Sequence, residues 1–338
     1  MMSDNLQKFL FLGVMMAVAI SVYGVPGRSG AHTTVLSYPA STLKAEVPLL
    51  ILPVPGLMSA SSQSPSSSTA AASGIHRAFA TIPGTTVENI PAAHAPSPRD
   101  NPPVIRAEAA LVENFTTGEV YASQNSDKRW PLASLTKLMT AVIAMQKFNQ
   151  NDVIPVTGTV SGGDIVSGIE GRYTMNDLLN VMLVASRNEV AEAFAASYGR
   201  VSFLAAMNEQ AREWGMRDTH YDDPSGLSAT NQTTIADLQK LVMHISTAYP
   251  GIWKITEQPK QTITDLNNGK TLTFDATNMF AGEPEFMGGK TGFTDEAQGN
   301  LISLFKYREL PVLVIVLGTD DRFGDTSKLY AWYKNVVQ

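Results

Sequence analysis

A serine stands three residues before a lysine in PLASLTKLMTA, residues 131–141. If Ser134 and Lys137 share one face of a helix, the hydroxyl can act as a nucleophile and the amine can take its proton. The spacing alone discriminates weakly, because it recurs at Ser41/Lys44 and Ser303/Lys306. Ser41 falls in a linker rich in Ser, Pro and Ala. Ser303 falls in a predicted strand, where residues three apart point to opposite faces. Ser134 instead opens an apolar run of helical spacing: Leu135, Leu138, Met139, Val142 and Ile143. A helix start also offers free backbone N–H groups and a positive dipole end, both suited to a developing anion. The bland alternative is an N-cap serine beside a solvated lysine.

Two further elements follow in order. Ser186-Arg187-Asn188 lies at a break between two helical runs, although Ser123-Gln124-Asn125 has the same form. Lys290-Thr291-Gly292 lies in FMGGKTGFTDEAQGNL, just before a predicted hairpin. Alone it reads equally well as a polar turn. Serine-x-x-lysine, serine-x-asparagine and lysine-threonine-glycine in this order are the element set of penicillin-binding proteins and class A β-lactamases. From about Ala109 onward the chain resembles the low-molecular-mass penicillin-binding proteins, the serine D-alanyl-D-alanine carboxypeptidases and endopeptidases. The resemblance extends through ASLTKLMTA, GRYTMNDLLNVMLVASRNEVAEAFA, GMRDTHYDDPSGLSATNQTT and GGKTGFTDEAQGNL.

The resemblance implies a β-lactamase/transpeptidase-like fold. It implies that Ser134 attacks the carbonyl of a penultimate D-alanine and forms an acyl-enzyme. Lys137 would be neutral and accept the serine proton, its pKa lowered by burial beside Lys290. Ser186 would pass a proton to the leaving amine, and Asn188 would hold Lys137 and the substrate amide. Lys290 and Thr291 would bind the terminal carboxylate, while Gly292 would let substrate lie against the strand edge. The backbone N–H groups of Ser134 and Phe293 would form the oxyanion hole. Peptidoglycan stem peptides would be the substrate and β-lactams covalent inhibitors. Two positions depart from the family: Arg187 stands where a small residue is frequent, and Glu189 where aspartate is common. Carboxypeptidase members often carry a second β-rich domain and a C-terminal anchor. Neither fits here, which points also toward the endopeptidase branch. A β-lactamase would need a deacylating glutamate in a loop, whereas Glu209 and Glu213 fall on a predicted helix. A non-catalytic wall-binding scaffold would have no need of all six polar motif residues.

These residues must be positioned by an α+β domain of residues 106–338, with an antiparallel β-sheet, flanking helices and an all-helical subdomain. Ala109–Asn114 and Glu119–Ser123 flank Thr116-Thr117-Gly118 and read as a hairpin. A helix follows from Ser134. Thr174 and Asp177 form a capping-box pattern ahead of LLNVMLVA. Helical patterns continue at Asn188–Tyr198, Phe203–Trp214, Thr234–Thr247 and Thr326–Lys334. Leu301–Tyr307 and Pro311–Leu317 read as strands paired around Arg308-Glu309, and the first and last strands are expected to meet.

Ahead of the domain, residues 1–8 form a short tail. The uncharged run FLFLGVMMAVAISVYGV, residues 9–25, suits an uncleaved membrane anchor better than a cleaved signal segment. Residues 26–105 read as a disordered Ser/Pro/Ala-rich linker, with SASSQSPSSSTAAASG at 59–74. Such a coil would span about 50 Å. It would hold the domain at the extracytoplasmic face of a membrane. The apolar, proline-interrupted stretch 47–58 has no assigned role.

The 338 residues carry a net charge of -6, which argues against a nucleic-acid partner. The absence of cysteine removes disulfides, thiolate metal sites and cysteine nucleophiles. His32, His76, His94, His220 and His244 have no metal-ligand spacing, so neither a metal, a cofactor nor a Ser-His-Asp triad is expected. Asp222 and Asp223 precede Pro-Ser-Gly and read as a turn rather than a calcium site. Arg322 reads as either a substrate-carboxylate ligand or a solvated loop charge.

Overall fold

A computed structural model describes residues 101–159 and 165–337. The expected tail, apolar segment and the linker through residue 100, with His32, His76 and His94, lie outside the described residues. No helix among the described residues is long and apolar enough to cross a membrane.

The chain begins with β1 (Ala109–Asn114), β2 (Glu119–Gln124), a short β3 (Trp130–Pro131), a 3-10 turn (Ala133–Thr136) and α1 (Lys137–Lys147). The hairpin β4 (Val153–Thr159) and β5 (Ile165–Thr174) precedes α2 (Met175–Val184), α3 (Asn188–Tyr198) and α4 (Arg200–Glu213). Next come β6 (Gln232–Thr233), α5 (Ile235–Ala248), α6 (Gly251–Thr256), β7 (Lys260–Thr264) and β8 (Thr271–Asp275). The chain closes with β9 (Phe286–Thr294), β10 (Gln298–Tyr307), β11 (Leu310–Thr319) and α7 (Arg322–Val336).

One antiparallel sheet has the strand order β2–β1–β11–β10–β9, so the first and last strands do pair, as expected. The apolar run of β11 is buried on both faces. Leu313, Ile315 and Leu317 point into the core shared with the helices, while Val312, Val314 and Val316 point under α7. Period-2 alternation therefore sorts one continuous apolar strand between two cores. Arg308 and Glu309 both have positive φ (49° and 65°) and join Tyr307 to Leu310 as a two-residue hairpin turn.

The helical layer centres on α1, which is buried from Lys137 to Ala144. An all-round apolar helix is a core helix. Thr174 caps α2 by accepting from Asp177 N–H at 3.1 Å. The reciprocal arm of the expected capping box is absent: the Asp177 carboxylate instead accepts from Thr264 N–H at 3.5 Å, linking α2 to β7. The final helix starts four residues earlier than its apolar pattern suggests, because Asp321 caps it by accepting from Gly324 N–H at 2.9 Å.

Asn300 of β10 ties the sheet to the serine turn. Its buried amide donates to the carbonyls of Pro131 (2.8 Å) and Leu132 (3.1 Å), and its oxygen accepts from Gly318 N–H (3.0 Å). Asn300→Ala would leave three buried backbone groups without this partner. It should lower unfolding free energy by about 2–4 kcal/mol, read from denaturant midpoints at an unchanged slope.

Candidate active site

The serine turn is held by close approaches. Leu132 N–H donates to Asn231 O at 2.7 Å, and Leu135 N–H returns to Leu132 O at 3.2 Å. Ala133, directly before Ser134, has φ 47°, a region L residues seldom occupy. The α-helix begins at Lys137 rather than at Ser134, because the preceding residues form a 3-10 turn. Residues three apart eclipse one another in that geometry, so Ser134 and Lys137 still share a side.

Lys137 is fully buried. Its Nζ lies 2.8 Å from Ser134 Oγ, 2.6 Å from Asn188 Oδ1 and 2.6 Å from the Ser225 carbonyl oxygen. Burial pushes its pKa down to about 7, against the opposing pull of Asp223, Glu189 and Glu192. Burial is thus the cause, rather than repulsion from Lys290. Lys290 is itself buried and held well below its ordinary value, first by burial and then by Lys137 and Arg322.

Ser186 has φ 57° and sits between α2 and α3. Its Oγ accepts from Lys290 Nζ at 2.8 Å. Lys290 also donates to the Thr291 carbonyl at 2.9 Å. The lysine-threonine-glycine element lies within β9, an outer strand of the five-stranded sheet, and not in a turn. Gly292 faces the serine turn: a Cβ there would lie 3.0 Å from Leu132 O and 3.2 Å from Ser134 N. The missing side chain therefore lets the strand approach Ser134. Phe293, next on the strand, is half exposed. The structure thus joins the serine turn, Lys137 and Asn188 into one cluster. It joins Ser186 and Lys290 into a second, with β9 passing alongside the serine turn.

Some contributors carry no side-chain signal. Ser225 contributes a main-chain carbonyl to Lys137, which any residue type could supply. Gly226 has φ 86°, and a methyl there would overlap the Ala133 carbonyl. Asp223 shapes this loop by accepting from the N–H groups of Ser225 (2.7 Å), Gly226 (2.5 Å) and Ser228 (2.6 Å). That contact set is a turn-forming one, and among the described residues no acidic or histidine cluster suits a metal. His220 pairs with Asp222 at 2.8 Å and bridges Gln232 in antiparallel fashion. Thr277, unremarked in the sequence, lies 2.8 Å from Thr291, hydroxyl to hydroxyl. Arg322 is a helix residue rather than a loop residue, and it is partly buried. It opens α7, donates from Nη1 to Gly292 O at 3.1 Å, and lies near enough to depress Lys290.

Residues 96–321 match the peptidase S11 family, described as D-alanyl-D-alanine carboxypeptidase. The chain belongs to that family. It is 32% identical over 253 residues to a D-alanyl-D-alanine endopeptidase of Pseudomonas aeruginosa, covering 70% of this chain and 81% of the relative. The Escherichia coli D-alanyl-D-alanine endopeptidase is 30% identical, covering 68% and 78%. Among solved structures, penicillin-binding protein D2 of Listeria monocytogenes in its ampicillin-bound form superposes with a TM-score of 0.59. It is 31% identical and covers 68% of this chain and 97% of that one. The expected α+β fold, with its antiparallel sheet and helical layer, is therefore the family's penicillin-binding architecture.

Gly226→Ala combines a clash with backbone and a strained φ. It should cost more than about 3 kcal/mol, or displace the serine turn and slow acylation of the folded fraction. Thermal midpoint and covalent labelling on the same preparation check both effects.

Proposed function

We propose that the chain is a serine-type D-alanyl-D-alanine carboxypeptidase acting on peptidoglycan stem peptides through an acyl-enzyme on Ser134. The supporting observation is the hydrogen-bond inventory at Lys137. An ammonium has three protons and no lone pair, whereas a neutral amine has two protons and one lone pair. The Asn188 amide oxygen and the Ser225 carbonyl can accept but never donate. The Ser134 hydroxyl can do either. When Lys137 is neutral it donates to the first two and its lone pair faces the serine proton. The depression of its pKa to about 7 makes that neutral form accessible at neutral pH.

The chemistry follows from that arrangement. Ser134 Oγ attacks the carbonyl of the penultimate D-alanine and loses its proton to Lys137 Nζ. Negative charge on the carbonyl oxygen is met by the N–H groups of Ser134 and Phe293. As the C–N bond breaks, the proton passes through Ser186 to the leaving amine. The terminal carboxylate lies against Lys290 and Thr291, with Arg322 supplying lasting positive charge beside Gly292. Water attacks the ester and Lys137 again takes the proton, restoring Ser134. A β-lactam presents the same carbonyl and carboxylate and would acylate Ser134.

A second reading is cleavage of D-alanine cross-links, in which the leaving amine belongs to a neighbouring stem peptide. It is favoured by the names of the Pseudomonas and Escherichia relatives, both endopeptidases. The steps at Ser134 are identical, so the reading differs in the leaving group alone. The substrate lies outside the cytoplasm. The uncharged run at 9–25 would tether the catalytic domain to the outer face of the membrane through the residues up to 105.

Pentapeptide muropeptides and D-alanine-cross-linked dimers, incubated with intact chain and weighed, separate the readings. Loss of one alanine from monomers supports the carboxypeptidase, and conversion of dimers to monomers the endopeptidase. Ser134→Ala should lower either rate by roughly ten-thousand-fold or more and abolish covalent penicillin labelling. Activity surviving in that variant would overturn the mechanism.

A further inference from the structure

Arg187 stands between the two functional residues of the second element, and its guanidinium turns back onto Glu189. Nε donates to Oε1 at 2.7 Å, and Nη2 pairs with the same oxygen. The guanidinium also lies over the ring of Phe274 on β8, 5.4 Å from its centroid. Glu189 is buried in the first turn of α3, directly after the Asn188 amide that accepts from Lys137. Its second oxygen, Oε2, is buried with no hydrogen-bond partner among the described residues.

Several charges face Lys137. Asp223 comes from the loop that also contributes the Ser225 carbonyl. Glu189 and Glu192 come from α3, and Lys290 from β9. Asp223 is occupied by backbone N–H groups, and Glu192 by Arg200 and the Ser225 hydroxyl. Glu189 differs, because its counter-ion is the middle residue of the catalytic element itself. The pair therefore does two things at once. It ties Arg187 back onto the first turn of α3 beside Asn188, and it pairs a cation with a carboxylate whose charge reaches Lys137.

We propose that Glu189 and Arg187 are paired positioning residues for Lys137: the ion pair orients the Asn188 amide on the lysine and sets how much carboxylate charge the lysine feels. This rests on the acyl-enzyme reading above. The two members then act in opposite directions. Without the Glu189 charge, the protonated lysine loses support and Lys137 becomes neutral at lower pH. Without the Arg187 charge, Glu189 supports the protonated lysine more strongly and Lys137 becomes neutral at higher pH.

The test is the second-order rate of Ser134 acylation by a fluorescent penicillin, followed from pH 5 to 9 in the full chain. The acidic limb of Glu189→Gln should move down, and that of Arg187→Met up, each by on the order of half to one pH unit. Glu189→Asp and Arg187→Lys should keep their limbs near the wild-type position. Limbs that stay in place while the plateau falls, or that move in one direction together, would overturn the proposal. If Glu189→Gln does not fold, Arg187→Met decides alone: a raised limb supports the pair and an unmoved one overturns it. A wild type that fails to acylate overturns the DD-peptidase reading and this inference with it. An acylating wild type with unmoved limbs in the variants overturns this inference alone.

Discussion

The Lys137 amine, buried and surrounded by three oxygens, is the contact on which the rest of the candidate site depends. Burial makes its charge costly, and three nearby carboxylates oppose that cost without cancelling it. The outcome is a lysine balanced near neutrality, where an amine can both accept and release a proton. Each of its oxygens comes from a different segment: the 3-10 turn, the start of α3 and the loop after α4. Any displacement of one segment alters the surroundings of Lys137 and its contact with Ser134.

The fold serves that contact by bringing rigid pieces close. Asn300 holds the strand before the serine turn to the sheet, and Gly292 lets β9 pass alongside Ser134. Gly226 lets the opposite loop meet the Ala133 carbonyl. Positive φ at Ala133 and Ser186 places backbone strain at two of the three motif elements. The surrounding hydrogen bonds and buried apolar residues hold both positions in place. Lys290 is a second buried lysine, joined to Ser186, and Arg322 at the head of α7 adds a cation beside the same strand.

Much of this was legible in the residues themselves. That Ser134 and Lys137 share a side, the order of the three elements and the pairing of first and last strands follow from spacing, motif and element order, although Ser134 lies in a 3-10 turn rather than in the helix. Other features lacked a side-chain signal. The Ser225 contribution is a carbonyl, and the left-handed conformation of Ala133 is one that alanine ordinarily avoids. The hairpins β4–β5 and β7–β8 escape sequence reading because VIPVTGT is broken by proline and glycine, and KQTIT has a single apolar residue. The early start of α7 depends on an aspartate cap rather than on apolar spacing. Arg187, read as a bulky departure from the family, is instead folded back onto Glu189.

The claim at the centre is that Lys137 is the uncharged base, and its titration can be followed directly. Carbon-13 labelling at lysine Cε, with Lys137→Arg to assign the resonance, gives the protonation midpoint in the folded chain. A midpoint of about 7, well below the ordinary 10.5, is the expected result. A midpoint that stays near 10.5 would mean a lysine charged at neutral pH, with no lone pair for Ser134, and would contradict the account.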